Sequence, residues 1–324
     1  ELASGIFLNF DYYKNFRSGI LATRSDIPSF QGITQLPLLN IGEMKNWGGE
    51  IVLGYRKIFN KDLSVNVSSN FAFNDNEIVF ISEQSRGEAY VYPYRSEGHR
   101  YGQHWGYKID YSNGNGYINT VEELEKYKPM YENGTVGSPT LGDFAYIDQN
   151  GDGKISDGYG ALPRINYSAI LGTQYKGFDF SVQFQGIGQA SRNFNYFIPE
   201  APDGFAGYYN GVHRQSWTEE RYLNGEPIEH PALHTSSSNS SYMGNDYYIQ
   251  DRSFLRLKMV ELGYSIPESL TQKLNLFKSA RFSVSGQNLI TWDRLITTDI
   301  DPEQESTYSY PLSRIVTFNV TLNF

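Results

Sequence analysis

PLSRIVTFNVTLNF, residues 311–324, is the stretch that decides how this chain is read. From Arg314 onward the residues alternate. Val316, Phe318, Val320, Leu322 and Phe324 fall on one side of an extended chain, and Ile315, Thr317, Asn319, Thr321 and Asn323 fall on the other. Side chains on a β-strand have a period of two, so one face is apolar and the other, apart from Ile315, is polar. A soluble sheet shows this pattern with its apolar face on a core. A membrane β-barrel shows it with the apolar face on lipid and the polar face on a wet lumen.

The same alternation recurs upstream. Ile6, Leu8, Phe10 and Tyr12 define a strand at 5–15, Ile51, Leu53 and Tyr55 one at 48–57, and Leu63, Val65, Val67, Phe71 and Phe73 one at 62–74. Further strands are expected at 165–176, 178–189, 252–265 and 280–291. In 252–265 the phase slips by one near Met259, which predicts a bulge. With the terminal strand the count is eight. Long excursions at about 16–47, 75–163, 190–250 and 293–311 alternate with short connections such as FNKD (59–62) and Lys176-Gly177. Outer-membrane barrels have an even strand count, short turns on one side and long loops on the other. A β-sandwich has no reason to sort its loops this way. The expected fold is all-β, a transmembrane antiparallel β-barrel with long external loops. Inside the second excursion, Thr120-Val121-Glu122-Glu123 is a capping box that predicts a short helix stopping before Pro129.

Composition narrows the function classes. A formal net charge of -9 without a basic cluster argues against nucleic acid as a partner. The absence of cysteine excludes disulfides, thiolate metal sites and thiol nucleophiles. The 26 Tyr and 20 Phe suit aromatic girdles at two membrane interfaces, or sugar-binding surfaces. No apolar run reaches the ~20 residues of a transmembrane helix. A mean hydropathy of -0.49 excludes a helical membrane protein but not a barrel, whose strands are half polar. ELASGIFLNFDYY (1–13) lacks a basic segment and a long apolar run, so it is not a signal peptide.

Several blocks carry a family resemblance. They are 48–78 (GGEIVLGYRKIFNKDLSVNVSSNFAFNDNEI), 97–110 (EGHRYGQHWGYKID), 142–157 (GDFAYIDQNGDGKISD), 175–186 (YKGFDFSVQFQG), 253–270 (SFLRLKMVELGYSIPESL), 279–292 (SARFSVSGQNLITW) and the terminal strand. In this order they resemble the C-terminal part of SusC-like (RagA-type) TonB-dependent outer-membrane transporters of Bacteroidota. The resemblance implies a 22-stranded barrel closed by a plug, of which residues 1–324 would supply about the last eight strands. It also implies a nutrient importer of oligosaccharides or peptides that works beneath a SusD-like lipoprotein, is energised through TonB and sits in outer-membrane lipid. The plug, the TonB contact and the earlier strands are expected upstream of Glu1. Phe324 resembles the C-terminal aromatic that outer-membrane assembly recognises.

Few residues suggest chemistry. Asp148-Gln149-Asn150-Gly151-Asp152-Gly153-Lys154 is the first half of an EF-hand loop. Oxygens of Asp148, Asn150 and Asp152, the Lys154 carbonyl and Asp157 could converge on Ca²⁺, Tyr159 being unable to supply the usual last carboxylate. The alternative is an ion-free Asn-Gly/Asp-Gly turn. His230 and His234 have i, i+4 spacing, but Pro231 between them argues against a helical metal pair. No HExxH, GxSxG or Walker loop occurs, and no catalytic residue is expected. Aromatic loop residues are the substrate candidates: Trp105, Tyr196, Tyr208, Tyr209 and Trp217, with Tyr107, Phe197 and Phe205 beside them. Aromatic faces stack on sugars and pack partners, and they also pack loops on themselves. The expected function is active import without bond chemistry; the alternative is a structural or partner-docking outer-membrane barrel.

Overall fold

A computed structural model describes residues 5–24, 27, 36–83, 96–132, 137–148, 158–160, 163–194, 211–234, 241, 244–267, 269–271, 277–296, 298, 300–304, 310 and 312–324. In chain order the elements are β1 (Ile6–Thr23), β2 (Leu38–Ile58), β3 (Leu63–Phe80), β4 (Gln103–Trp105), α1 (Val121–Glu132), β5 (Gly158–Gly160), β6 (Ile165–Tyr175), β7 (Phe178–Gly188), β8 (Ser191–Asn193), α2 (Glu219–Leu223), β9 (Ile249–Asp251), β10 (Phe254–Ser265), β11 (Ser279–Asp293) and β12 (Ile315–Asn323). Eight long strands form one sheet in the order β1-β2-β3-β6-β7-β10-β11-β12, and β4–β5 and β8–β9 are small separate pairs. All pairings in the large sheet are antiparallel. The eight strands expected from alternation are these eight.

Their lengths differ from expectation. Residues 16–47 are not one long loop, because β1 continues to Thr23 and β2 begins at Leu38. The register shifts between Arg17 and Ile20, where Gly19 takes a φ of 68°. One extra residue there reverses the alternation, so a strict period of two ends before the strand does. β3 likewise continues to Phe80, trimming the excursion expected at 75–163. The bulge expected near Met259 is present: the register slips between Leu257 and Met259 against both neighbours of β10. The two-residue connection Lys176-Gly177 has φ values of 47° and 87°, the left-handed pair that a tight hairpin demands.

The helix α1 also departs from expectation by running through Pro129. Its start is as expected, with Thr120 Oγ1 accepting from the Glu123 N–H at 3.2 Å. The Glu123 carboxylate caps the Asn119 N–H at 2.7 Å, one residue before the usual place. A proline removes one backbone donor and disfavours the preceding helical residue. Tertiary packing overrides that cost here: Tyr127 and Tyr131 flank Pro129 and are both buried. The Tyr131 hydroxyl donates to the Phe144 carbonyl.

Register carries the alternation of each strand across the sheet. One row reads Ile6, Tyr55, Val67, Leu171, Val182, Val260, Gly286 and Val316. A second reads Leu63, Tyr175, Phe178, Tyr264, Phe282 and Val320, with the Phe178 and Tyr264 rings 4.5 Å apart. Among the described residues nothing covers this apolar face; Phe10 is 64% exposed and Phe318 80%. The opposite face carries Arg56, Asn66, Gly172, Ser181, Glu261, Ser285 and Thr317 in one row. β1 and β12 are the sheet's two edges and, among the described residues, do not pair with each other. The main hydrophobic core therefore lies elsewhere, in the excursions at the long-loop end. There Tyr107, Ile109, Tyr117, Tyr131, Phe144, Tyr146, Phe194, Trp217 and Tyr248 pack with Ile300.

Candidate functional site: the polar face and the loop unit above it

The polar face is built flat. Where a glycine occurs, a neighbouring side chain lies across it. The Phe7 ring occupies the space that a Cβ on Gly54 would need, and Arg281 and Asp179 occupy that of Gly263. Arg281 donates from Nε to Asp179 Oδ1 at 3.1 Å and from Nη2 to Glu261 Oε1 at 2.6 Å. These charges come from three strands and meet over the one residue that leaves them room. The remaining groups are mostly small amides and hydroxyls, which line an aqueous space without filling it.

Arg256 ties this face to the last long loop. Its side chain is fully buried. Nη2 donates to both Asp301 oxygens at 2.8 and 2.7 Å, Nη1 donates to Glu303, and Nε donates to Thr291 Oγ1 at 2.9 Å. The guanidinium also lies 5.0 Å from the Phe254 ring centroid. Next to this clasp, Ile300 inserts into the loop core and the Gln304 carbonyl accepts from Arg192 at 2.6 Å. Residues 301–304, DPEQ, which read as an ordinary polar loop, are thus a strap between the sheet and the loop unit.

Inside the loop unit the polar side chains are clasps. Asp143 is fully buried. It accepts from the Thr140 N–H at 2.7 Å, Thr140 Oγ1 at 3.0 Å and Ser241 Oγ at 2.9 Å, and lies 2.8 Å from His234 Nε2. Burial alone would raise its pKa; the hydrogen bond and charge of His234 and the Thr140 and Ser241 donors outweigh it and hold the carboxyl below its usual range. Ser241 donates to Asp143, so the carboxylate joins 140–143 to His234 and Ser241.

His230 is fully buried, with its ring 4.6 Å from that of His213 in a T-shaped contact. Its Nδ1 lies 3.0 Å from the Pro231 carbonyl. Burial, reinforced by His213, lowers its pKa to about 3. His230 and His234 point to different partners, as their separation by Pro231 suggests. Among the described residues no group of three or more His, Asp or Glu is placed to hold a metal. A histidine with a depressed folded-state pKa binds fewer protons folded than unfolded, so stability falls as pH drops from 6.5 toward 3. Over that window His230 alone is expected to remove about 1.4 kcal/mol per pH unit. Hydrogen exchange of residues 213–232 measured at pH 7.5 and pH 5 checks this. Protection factors, taken relative to the intrinsic exchange rate at each pH, should fall at pH 5 in the parent and change much less in His230→Phe.

The structure places only some of the sequence-derived candidates. Asp148 is described; Asn150, Asp152, Lys154 and Asp157 lie outside the described residues, as do Tyr196, Phe197, Phe205, Tyr208 and Tyr209. Trp105 ends β4 and is half-buried, its indole 4.9 Å from the His99 ring at an interplanar angle of 78°. Trp217 lies within the loop core. It is 7% exposed and its Nε1 donates to Asn119 Oδ1 at 3.1 Å, so packing of the loops on one another accounts for it. Tyr107 is buried in the same core. Arg256 and Arg281 were not singled out by sequence; a cation within an otherwise apolar alternating strand was the available signal.

No protein-family model matches the chain. Over 314 residues it is 26% identical to TonB-dependent receptor P3 of Formosa agariphila, covering 88% of this chain and 28% of that protein. Over 299 residues it is 26% identical to TonB-dependent receptor SusC of Bacteroides thetaiotaomicron, covering 88% of this chain and 26% of that one. The chain is SusC-like. This SusC-like chain spans about a quarter of the length of these relatives. Among solved structures it superposes on a chain of the RagAB peptide importer in the open-open state. The TM-score is 0.63 at 22% identity, and the match covers 99% of this chain and 33% of that one. The RagAB peptide transporter gives a TM-score of 0.64 at 20% identity. The likeness shows the fold: the eight-stranded antiparallel sheet corresponds to part of a transmembrane β-barrel wall.

Proposed function

We propose that this chain is the C-terminal part of the barrel of a TonB-dependent outer-membrane importer. It takes up oligosaccharides or peptides, works with a SusD-like surface lipoprotein and is energised by TonB. The observation that carries this reading is the pair of faces. A continuous apolar row from Ile6 to Val316 suits lipid, and the row behind it, from Arg56 to Thr317, suits a wet passage. Both edges of the sheet are long rows of backbone groups that need further strands, and eight strands alone would close only around a side-chain-filled interior. The SusC likeness and the peptide importer named among the structural neighbours support the nutrient class.

The chain's own residues do the mechanical work. The flat lumenal wall leaves room for a plug and a solute, and the strap through Arg256 holds the loop unit in place at the outer mouth. The test is uptake by the full-length receptor before and after deletion of its TonB-contact segment. The expected result is loss of uptake to background with the barrel still assembled. Undiminished uptake would sink the proposal in favour of a docking scaffold.

A further inference from the structure

We infer that the inner side of the wall, above the apolar band, holds a subsite for an apolar residue of a peptide, between Trp105 and the tops of β1, β2 and β3. This rests on the importer reading and narrows its substrate to peptides at this place. The site is a cavity of about 380 Å³ whose lining includes Ile20, Ala22, Met44, Ile78, Arg100 and Trp105.

The bulge in β1 builds it. Below the bulge, Tyr13, Asn15 and Arg17 share the lumenal side with Gly48, Asn46 and Met44. The extra residue at 18–19 moves the even-numbered residues onto that side, so Ile20 pairs with Gly42 and Ala22 follows it. A Cβ on Gly42 would lie 3.1 Å from Ile20 Cβ and 3.6 Å from Ala22 Cβ, which confirms a shared side. Met44 pairs with Ile78 on β3. The segment 98–99 adds to β3, with the Ile78 N–H donating to the His99 carbonyl at 2.9 Å. That seats His99 against the Trp105 indole and fixes the ring as the cavity's aromatic wall.

The lining selects the ligand class. Ile20, Met44 and Ile78 offer no hydrogen bond to a sugar stacked on Trp105, and the polar lining residues Glu43, Ser96 and Gln103 are too few for all its ring hydroxyls. An aliphatic or aromatic side chain meets the same walls with apolar surface. The donor for a backbone carbonyl is Arg100. Arg100 Nε forms an ion pair with Asp75 Oδ1 at 2.6 Å, and Nε and Nη2 are both buried, so a ligand carbonyl reaches this guanidinium only if the side chain shifts toward the cavity it lines. Asp75 is shared with Arg164, so it leaves the Arg100 guanidinium incompletely paired.

The experiment is photolabelling of the full-length receptor with alanyl-(4-benzoylphenylalanyl)-alanine, read by peptide mass mapping. Adducts are expected on the segments holding Met44 or Trp105. Alanyl-phenylalanyl-alanine should compete for them and maltotriose should not. Gly42→Leu, which fills the cavity, should cut labelling about tenfold. Trp105→Ala, in a loop outside the large sheet, should do the same if Gly42→Leu fails to assemble. Adducts confined to other segments, labelling unchanged by either variant, or equal competition by maltotriose would overturn the subsite. TonB-dependent uptake that persists without labelling here overturns the subsite alone; uptake independent of TonB overturns the importer reading alone.

Discussion

Phe318→Arg destabilises the assembled barrel by up to about 2–4 kcal/mol, the cost of a cation on the lipid face, which is greatest at the bilayer midplane. Phe318 is 80% exposed and sits in a row with Val284, Leu262 and Phe180. No partner in that row can neutralise an arginine. Asn319→Arg, one residue along the same exposed strand, is expected to cost less than about 0.5 kcal/mol, as surface changes usually do. Its neighbour across the strand pair is Ser283, on the side that carries Arg281 and Glu261. Urea unfolding of the full-length receptor in lipid vesicles measures both, and equal costs would refute the assignment of faces.

Arg256→Ala is the second large effect. Removing one partner of a fully buried ion pair typically costs 3–5 kcal/mol, roughly, because the remaining charge loses its compensation. The expected cost here is about 2–3 kcal/mol, since the Glu303 side chain is 31% exposed and can recover water. Asp301, at 17%, recovers less. The loss should concentrate in the strap and in the packing of Ile300 against the loop core. Proteolysis of the native receptor is expected to gain a fast cleavage within 293–304, with the strands still protected. Unchanged protection of that segment would show that Arg256 does not hold it.

Much of the sheet was legible because strand signals are local. Alternation in 315–323 or 178–185 needs no knowledge of neighbours, and the slip at Met259 shows as two apolar phases in one strand. β1 and β2 were cut short for an equally physical reason. The bulge at Gly19 reverses the period within β1, and a second register shift between Ile20 and Leu21 leaves Ile41 as an extra residue on β2, so in both strands the residues beyond the irregularity lose phase. The passage of the helix through Pro129 has no local signal, because its last turn is held by Tyr131, whose acceptor, the Phe144 carbonyl, lies outside the helix.

The site was less legible than the wall. Aromatic content in the excursions signalled a special role, but the same residue type serves packing at Trp217 and lines a cavity at Trp105. Only burial separates the two. Arg256 and its carboxylates are 45 and 47 residues apart in sequence, so neither side of that clasp announces the other. The lumenal glycines are similar: Gly263 reads as a weak strand residue until Arg281 and Asp179 are seen to occupy its empty side.

The central claim is that one face of this sheet meets lipid and the other meets water. Residues 1–324 contain no cysteine, so once any cysteine elsewhere in the receptor is replaced by serine, single cysteines along β12 are labelled without background. Cysteines placed at 316, 318, 320 and 322, and at 317, 319, 321 and 323, are treated in turn with a charged, membrane-impermeant maleimide in the full-length receptor in vesicles. The first set is predicted to stay unlabelled and the second to react, in strict alternation. Labelling of Phe318→Cys and Val320→Cys as fast as Asn319→Cys and Thr321→Cys would contradict it.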